Sequence, residues 1–308
     1  MRRGARFSAI SCGLGRWRHP MAIRTILVAV SGGTASNGAV ELACRLAKRH
    51  EAHLEGFHVR IDPRVVIATM AGDGFGMGMP LAGQWADQIM ADAASLASRT
   101  KATFLSAIAG HGLSLATTPS KGRTSAAWHE ETGYAPNLVS RRARFFDLVI
   151  LGRSERVVEQ SHTDTIEETL LHSGRPVLLA PAKAPAAIAD AIAVGWNGSP
   201  EAVKTLALSL PLLAAARAVS VITIGDKKEA VASLIDYLAW QGIAATHINV
   251  PSVSGVGPGQ QLLAAARDAG ADLLVMGGYG HMPWQEFVFG GATREIVGVS
   301  LLPLLLSH

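Results

Sequence analysis

Apolar residues along this chain fall into short unbroken runs, each closed by a glycine turn or a proline. ILVAV (Ile26–Val30), LVIL (Leu148–Leu151) and VLLA (Val177–Ala180) are such runs in the first half. The second half repeats the style with IAV (Ile192–Val194), LLVM (Leu273–Met276) and LLL (Leu304–Leu306). Runs without polar interruption read as strands buried on both faces, as in a parallel sheet. Between them the spacing turns helical, as in ASNGAVELACRLAKRH (Ala35–His50) and PEAVKTLALSLPLLAAA (Pro200–Ala216). In the second half this pattern predicts strands near 191–196, 219–224, 244–250, 272–277 and 302–306. It predicts helices near 199–216, 227–241, 258–269 and 291–299. Strands joined by helices long enough to cross over imply an α/β fold with helices on both sheet faces.

The two halves say similar things. TILVAVSGG (Thr25–Gly33) corresponds to AIAVGWNGS (Ala191–Ser199), FDLVILG (Phe146–Gly152) to ADLLVMG (Ala271–Gly277), and RPVLLAP (Arg175–Pro181) to LPLLLSH (Leu302–His308). The expected organisation is an extension over residues 1–21, a first domain over 22–181, a linker over 182–190 and a second domain over 191–308. PAKAPAAIAD (Pro181–Asp190) has linker composition. Two patches of the first half have no counterpart: TMAGDGFGMGMPLAG (Thr69–Gly83) reads as a mobile loop. Polar GHGLSLATTPSKGRTSAAWHEETGYAP (Gly110–Pro136) reads as a cover over one end of the domain. The paired apolar final strands suggest that the halves pack together.

Composition narrows the function classes. The 308 residues are 49% hydrophobic and 17% charged, in the range of a packed globular protein. The formal charge of +4 is carried by the first 20 residues, which hold five arginines and no acid. The rest is close to neutral, so no nucleic-acid footprint is expected. The Arg-rich segment lacks the apolar core of a secretory signal. It reads as a disordered extension or a targeting arm, the former preferred, with Met21 as an alternative start. Thr205–Ile224 is the most membrane-like stretch, but Pro211 and Arg217 interrupt it, and a buried helix followed by a strand fits better. Two cysteines, Cys12 and Cys44, form no framework, and the eleven histidines show no metal-ligand spacing. A cytoplasmic protein without nucleic-acid or membrane partners is expected.

The most informative chemistry lies in MGGYGHMPWQEFVFGGATREIV (Met276–Val297), directly after an apolar strand. In a parallel sheet, ligands bind outside the carboxyl ends of the strands. Glycine gives a phosphate clearance and inward-pointing N–H groups, and a helix beyond adds the positive end of its dipole. Gly277, Gly280, Gly290 and Gly291 meet those needs, Thr293 offers a hydroxyl, and His281 and Arg294 offer positive charge. The spacing G-x2-G-x9-G, from Gly277 through Gly280 to Gly290, together with the internal repeat, resembles the universal stress protein family over about residues 22–308. The resemblance implies an open parallel five-stranded fold, pairing of domains through the last strand, and binding of ATP or a related adenine nucleotide.

Carried over residue by residue, the implied nucleotide site comprises Gly277, Tyr279, Gly280, His281, Gly290, Gly291 and Thr293, with Asn197, Gly198 and Ser199 near the adenosine. Mg2+ is a candidate companion of the phosphates. Gly291 stands where the family motif has Ser or Thr, and Asn197 where it has an acid. The first half departs further, with Glu155 at the second glycine position and Glu159, Asp164, Glu167 and Glu168 close behind, a poor setting for a polyanion. It reads as a degenerate partner domain. The expected function is a nucleotide-responsive stress module, not an enzyme, working by conformational change or through an unidentified protein partner. A homodimer is compatible with this, and a dimeric interaction protein that binds no nucleotide is the alternative.

An enzyme reading competes in the first half. SGGTAS (Ser31–Ser36) resembles the SGGxDS loop of the N-type ATP pyrophosphatases, with Ala35 in place of the acid. A plain glycine turn capped before a helix is the favoured alternative. Asp147 and Asp272 are expected to supply solvent-facing polarity at strand starts, and His58 to be a partly buried structural histidine.

Overall fold

The computed structural model describes residues 22–62, 79–116, 118, 123–153, 160–225, 228–278 and 300–308. The first half runs β1 (Thr25–Ala29), α1 (Thr34–His50), β2 (His53–Ile61), α2 (Met79–Gly110), β3 (Ser114–Leu115), β4 (Ser125–Gly133), α3 (Ala135–Ala143), β5 (Leu148–Gly152), α4 (Gln160–His172) and β6 (Val177–Ala180). The second runs β7 (Ala191–Gly195), α5 (Pro200–Ala215), β8 (Ala218–Ile224), α6 (Lys228–Trp240), β9 (Thr246–Val250), α7 (Pro258–Asp268), β10 (Leu273–Gly277) and β11 (Leu304–Ser307). The helix expected over 291–299 lies outside the described residues.

The strands form one 11-stranded sheet in the order β3-β4-β2-β1-β5-β6-β11-β10-β7-β8-β9. The expected tandem α/β architecture, with the halves paired through their last strands, is present, as one continuous sheet rather than two of five strands. Each half contributes five parallel strands in the same order, with the first strand at the centre, and the short β3 adds to the outer edge of the first half. The halves meet through antiparallel pairing of β6 and β11, Leu304 opposite Leu179, Leu305 opposite Leu178 and Leu306 opposite Val177. All six side chains are fully buried. Fusion follows from sequence: an unpaired apolar edge strand exposes a ladder of N–H and C=O groups, and two such edges satisfy one another.

Successive side chains of these strands point to opposite faces. Ile26, Val28, Leu178 and Leu305 join one apolar core with α1, α2, α5 and α6. Leu27, Leu179, Leu304 and Leu306 join another with α3, α4 and α7. The sheet is therefore covered on both faces.

Three expectations are corrected. The polar stretch Gly110–Pro136 is not a cover over the domain: it contains β4, whose nine residues pair with β2 from His53↔Ser125 to Ile61↔Gly133. Its polar side chains find partners on β2 and along β4 itself, Arg60 with Glu130 at 3.0 Å and Trp128 Nε1 donating to Glu130 at 3.1 Å. Of the Gly/Met-rich patch, Met79–Gly83 are the first residues of α2, and 69–78 lie outside the described residues. Asp147 and Asp272 do not face solvent idly. The Asp147 carboxylate accepts from the backbone N–H groups of Arg24 and Thr25 at 2.8 and 3.0 Å. Asp272 accepts from Asp190 N at 3.0 Å and Ala191 N at 3.3 Å. Each pins the start of the first strand of its half. Burial pushes the Asp272 carboxyl up, partly offset by those donors.

The linker composition of 182–190 does not give a loose tether. Arg45 donates to the carbonyls of Pro185 and Ala186, and Arg49 to that of Ile188 at 3.0 Å and to the Asp190 carboxylate at 2.6 Å. A side chain at Gly38 would run into the backbone of Pro181 and Ala182, so the segment lies directly on α1.

Candidate functional site

The carboxyl ends of the central strands are where the two halves place their chemistry. In the second half, β10 pairs with β7 so that Met276 lies opposite Gly195. The segments leaving these strands, Trp196–Ser199 and Gly277–Gly278, therefore emerge side by side. Asn197 Oδ1 accepts from Ser199 N at 3.0 Å, and Ser199 Oγ accepts from Ala202 N at 3.2 Å, capping α5. Gly198 has φ +79° with open space where a side chain would stand. Asn197 and Gly198 are exposed. The Trp196 ring packs against the core beside α5, and its Nε1 is buried with no partner among the described residues.

Of the residues expected to hold a nucleotide, Asn197, Gly198, Ser199 and Gly277 are thus together. Tyr279, Gly280, His281, Gly290, Gly291 and Thr293 lie outside the described residues. Gly277 has a packing reason of its own. A Cβ there would stand 2.6 Å from Ala202 N and 2.9 Å from the Glu201 carbonyl carbon, at the start of α5. Gly152, its counterpart, would collide in the same way with the backbone of Ala35 and Ser36 at the start of α1. The N–H of Gly278 donates to Ser307 O at 3.1 Å.

In the first half the equivalent corner is closed. Ser36 Oγ accepts from Ser31 N at 2.9 Å and Gly32 N at 3.2 Å, so these two donors of the SGGTAS loop are held within it. Gly32, at φ +92°, lies under α2: a Cβ would meet Thr100 Oγ1 at 2.6 Å and Leu96 Cδ1 at 2.7 Å. At Gly32 a phosphate therefore finds neither a free donor nor clearance, which counts against the ATP pyrophosphatase resemblance. Arg153 stands where the second half has Gly278. It is buried, and its guanidinium donates to the carbonyls of Ser300 and Leu302 across the junction between the halves. On α4, burial and the Asp164 charge push the Glu167 carboxyl up, as expected where acids crowd.

Above this closed corner lies a cleft of about 640 Å³. The ends of β1, β2 and β5 form its floor, α2 one wall, and the start of α3 with Thr165 and Ile166 of α4 the other. Its lining is mainly apolar, with Phe57, Ile61, Ile89, Leu96, Val139 and Ile166. Its charged groups balance in sign, Arg60 and Arg99 against Asp62 and Asp92. His58 is 3% exposed at its floor, and its Nδ1 lies 2.6 Å from Val30 O. The ring stacks on Trp128 with centroids 6.0 Å apart. A structural histidine is the sequence expectation for His58, and its alternation with Phe57 and Val59 along β2 is the signal that it faces the other side of the sheet. Among the described residues no group of three or more His, Cys, Asp or Glu is placed to hold a metal ion.

No protein-family model matches the sequence, and no curated protein does. Solved structures match closely in shape. A universal stress protein from Archaeoglobus fulgidus DSM 4304 superposes with a TM-score of 0.67 at 13% identity, covering 92% of this chain and 97% of its own. The fold is the universal stress protein fold. A putative universal stress protein from Pseudomonas aeruginosa UCBPP-PA14 gives 0.54 at 12% identity over 93% of this chain and 94% of its own. A functionally unknown protein from Pseudomonas aeruginosa PAO1 gives 0.53 at 13% over 93% of each chain. Near-complete coverage on both sides means that the fold is shared as a two-half unit. At these identities the likeness carries architecture alone.

Proposed function

We propose that this protein is a tandem universal stress protein that binds one adenine nucleotide, ATP or a related form, at the carboxyl end of its second half. The observation that carries the reading is the juxtaposition of Asn197–Ser199 with Gly277 at the strand ends β7 and β10, in a fold shared over 92% of the chain with a universal stress protein. The glycine spacing through Gly280 and Gly290 adds the phosphate chemistry. The nucleotide's phosphates sit on Gly277–Gly280 and Gly290–Thr293, with His281 for charge and Tyr279 beside them. Mg2+ arrives with the phosphates. Binding repacks Trp284, Phe287 and Phe289 and alters a surface read by a protein partner.

In this reading the protein acts as a cytoplasmic binding module and not as an enzyme. No described helix is long and apolar enough to cross a membrane. A homodimer would use a surface other than the final strands, because β6 and β11 already pair with each other. The second reading, an interaction protein without nucleotide, is favoured by one observation: Gly277 is required by the approach of α5 regardless of any ligand. Titration of nucleotide-free protein with a fluorescent ADP analogue separates the two. Saturable binding that is lost in Gly290→Val supports the nucleotide site, and equal binding by that variant refutes the phosphate-loop assignment.

A further inference from the structure

We propose that the cleft of the first half is a second, independent site, for a small neutral and largely apolar molecule that donates a hydrogen bond to His58 Nε2. The argument starts at the closed corner. A nucleotide would need free N–H donors at the end of β1, and those of Ser31 and Gly32 are held by Ser36 Oγ at 2.9 and 3.2 Å. It would also need net positive charge, whereas the cleft pairs two cationic with two anionic side chains. Arg60 is further tied to Glu130 at 3.0 Å, and Arg99 donates to Ser95 Oγ at 2.7 Å. What is left suits an uncharged ligand: about 640 Å³ of mainly apolar lining, within the usual range of small-molecule pockets and at the switch point where such sheets bind ligands.

His58 supplies the polar anchor. A backbone carbonyl only accepts, so the 2.6 Å contact with Val30 O places the ring proton on Nδ1. In the neutral ring Nε2 is then an acceptor. That nitrogen receives a ligand hydroxyl or N–H entering from the cleft that His58 lines. Stacking on Trp128 and the Val30 contact hold the ring in one orientation, so the acceptor is fixed in advance of binding.

The probe for the test is N-phenyl-1-naphthylamine, a neutral fluorescent molecule with one N–H. The full-length protein is titrated with it, and the wild type is expected to bind one equivalent saturably. Ala93→Trp, on the partly exposed wall of α2, fills the cleft and weakens binding at least about tenfold. His58→Phe keeps the ring volume, removes the acceptor and weakens binding about 2- to 10-fold. The N-methylated dye, which lacks the donor, binds wild type with a similar loss, a readout that does not depend on how a variant folds. Absence of saturable binding overturns the proposal, as does equal affinity in Ala93→Trp or displacement of the dye by ATP. Dye binding that persists in Gly290→Val supports the independence of the two sites, and its loss there contradicts it.

Discussion

Adding one methyl group at Gly277 tests the reason this glycine is present. In Gly277→Ala the new carbon would lie 2.6 Å from Ala202 N, 2.9 Å from the Glu201 carbonyl carbon and 3.0 Å from Ala202 Cα. Unstrained contacts between such atoms stand at about 3.5–4.0 Å. All three neighbours are backbone, so no side chain can rotate away. The start of α5 must retreat from the sheet by about 0.5–1 Å, a gap that forfeits a quarter to a half of each dispersion contact it opens. The residues affected first are Ala202, Thr205 and Leu206, all buried in α5. Overpacking of this kind costs about 1–3 kcal/mol, and the same cost is expected for Gly152→Ala, whose methyl meets Ala35 and Ser36 at the start of α1. Urea unfolding followed by circular dichroism measures both. If Gly277→Ala is as stable as wild type, the close approach of α5 is not what fixes this glycine. If only Gly277→Ala and not Gly152→Ala is destabilised, the equivalence of the two corners fails.

Other outcomes follow from single contacts. Glu55, 6% exposed, accepts two bonds from the Arg142 guanidinium at 2.7 and 2.6 Å. Arg142→Met strands that carboxylate and is expected to cost about 3–5 kcal/mol, most of it recovered in Arg142→Met with Glu55→Leu; urea midpoints of the single and double variants decide this. Arg153→Met removes the donors to Ser300 and Leu302 and is expected to cost about 1.5–3 kcal/mol by the same assay. The His50 ring is held down to about 4 from 6.5 by burial and by the Arg49 charge. The unfolded chain therefore takes up a proton that the folded chain refuses, so the His50 contribution is intact above about pH 6.5 and is lost as pH falls toward 4. At most about 3–4 kcal/mol is involved. His50→Gln should lose less stability than wild type between pH 7 and pH 4.5, and an unchanged slope would refute the assignment.

The parts of this fold that sequence exposes are those written in apolar runs. ILVAV, LVIL, VLLA, LLVM and LLL became β1, β5, β6, β10 and β11, because burial on both faces leaves no room for polar residues. Strand β4 escaped because Trp128, His129, Glu130 and Glu131 are half-buried and find partners on β2 and within β4, pairings that local patterning does not encode. The clamp of Arg45 and Arg49 on 185–190 joins residues about 140 apart, so Pro/Ala composition reads as a tether where tertiary contact makes a strap. In the candidate site, Gly277 was legible as a strand-end glycine, but its packing role needed the position of α5. The cleft over the first half was hidden for a similar reason, since its walls come from α2, α3 and α4 and its anchor, His58, looks like any histidine in a strand.

Hydrogen exchange read by mass spectrometry, with and without ADP, tests the central claim most directly because it reports where a nucleotide sits. The account predicts slowed exchange in peptides covering Trp196–Ser199 and Met276–Thr293, and none in Val28–Ser36. Protection confined to Val28–Ser36, or no protection anywhere at saturating ADP, would contradict it.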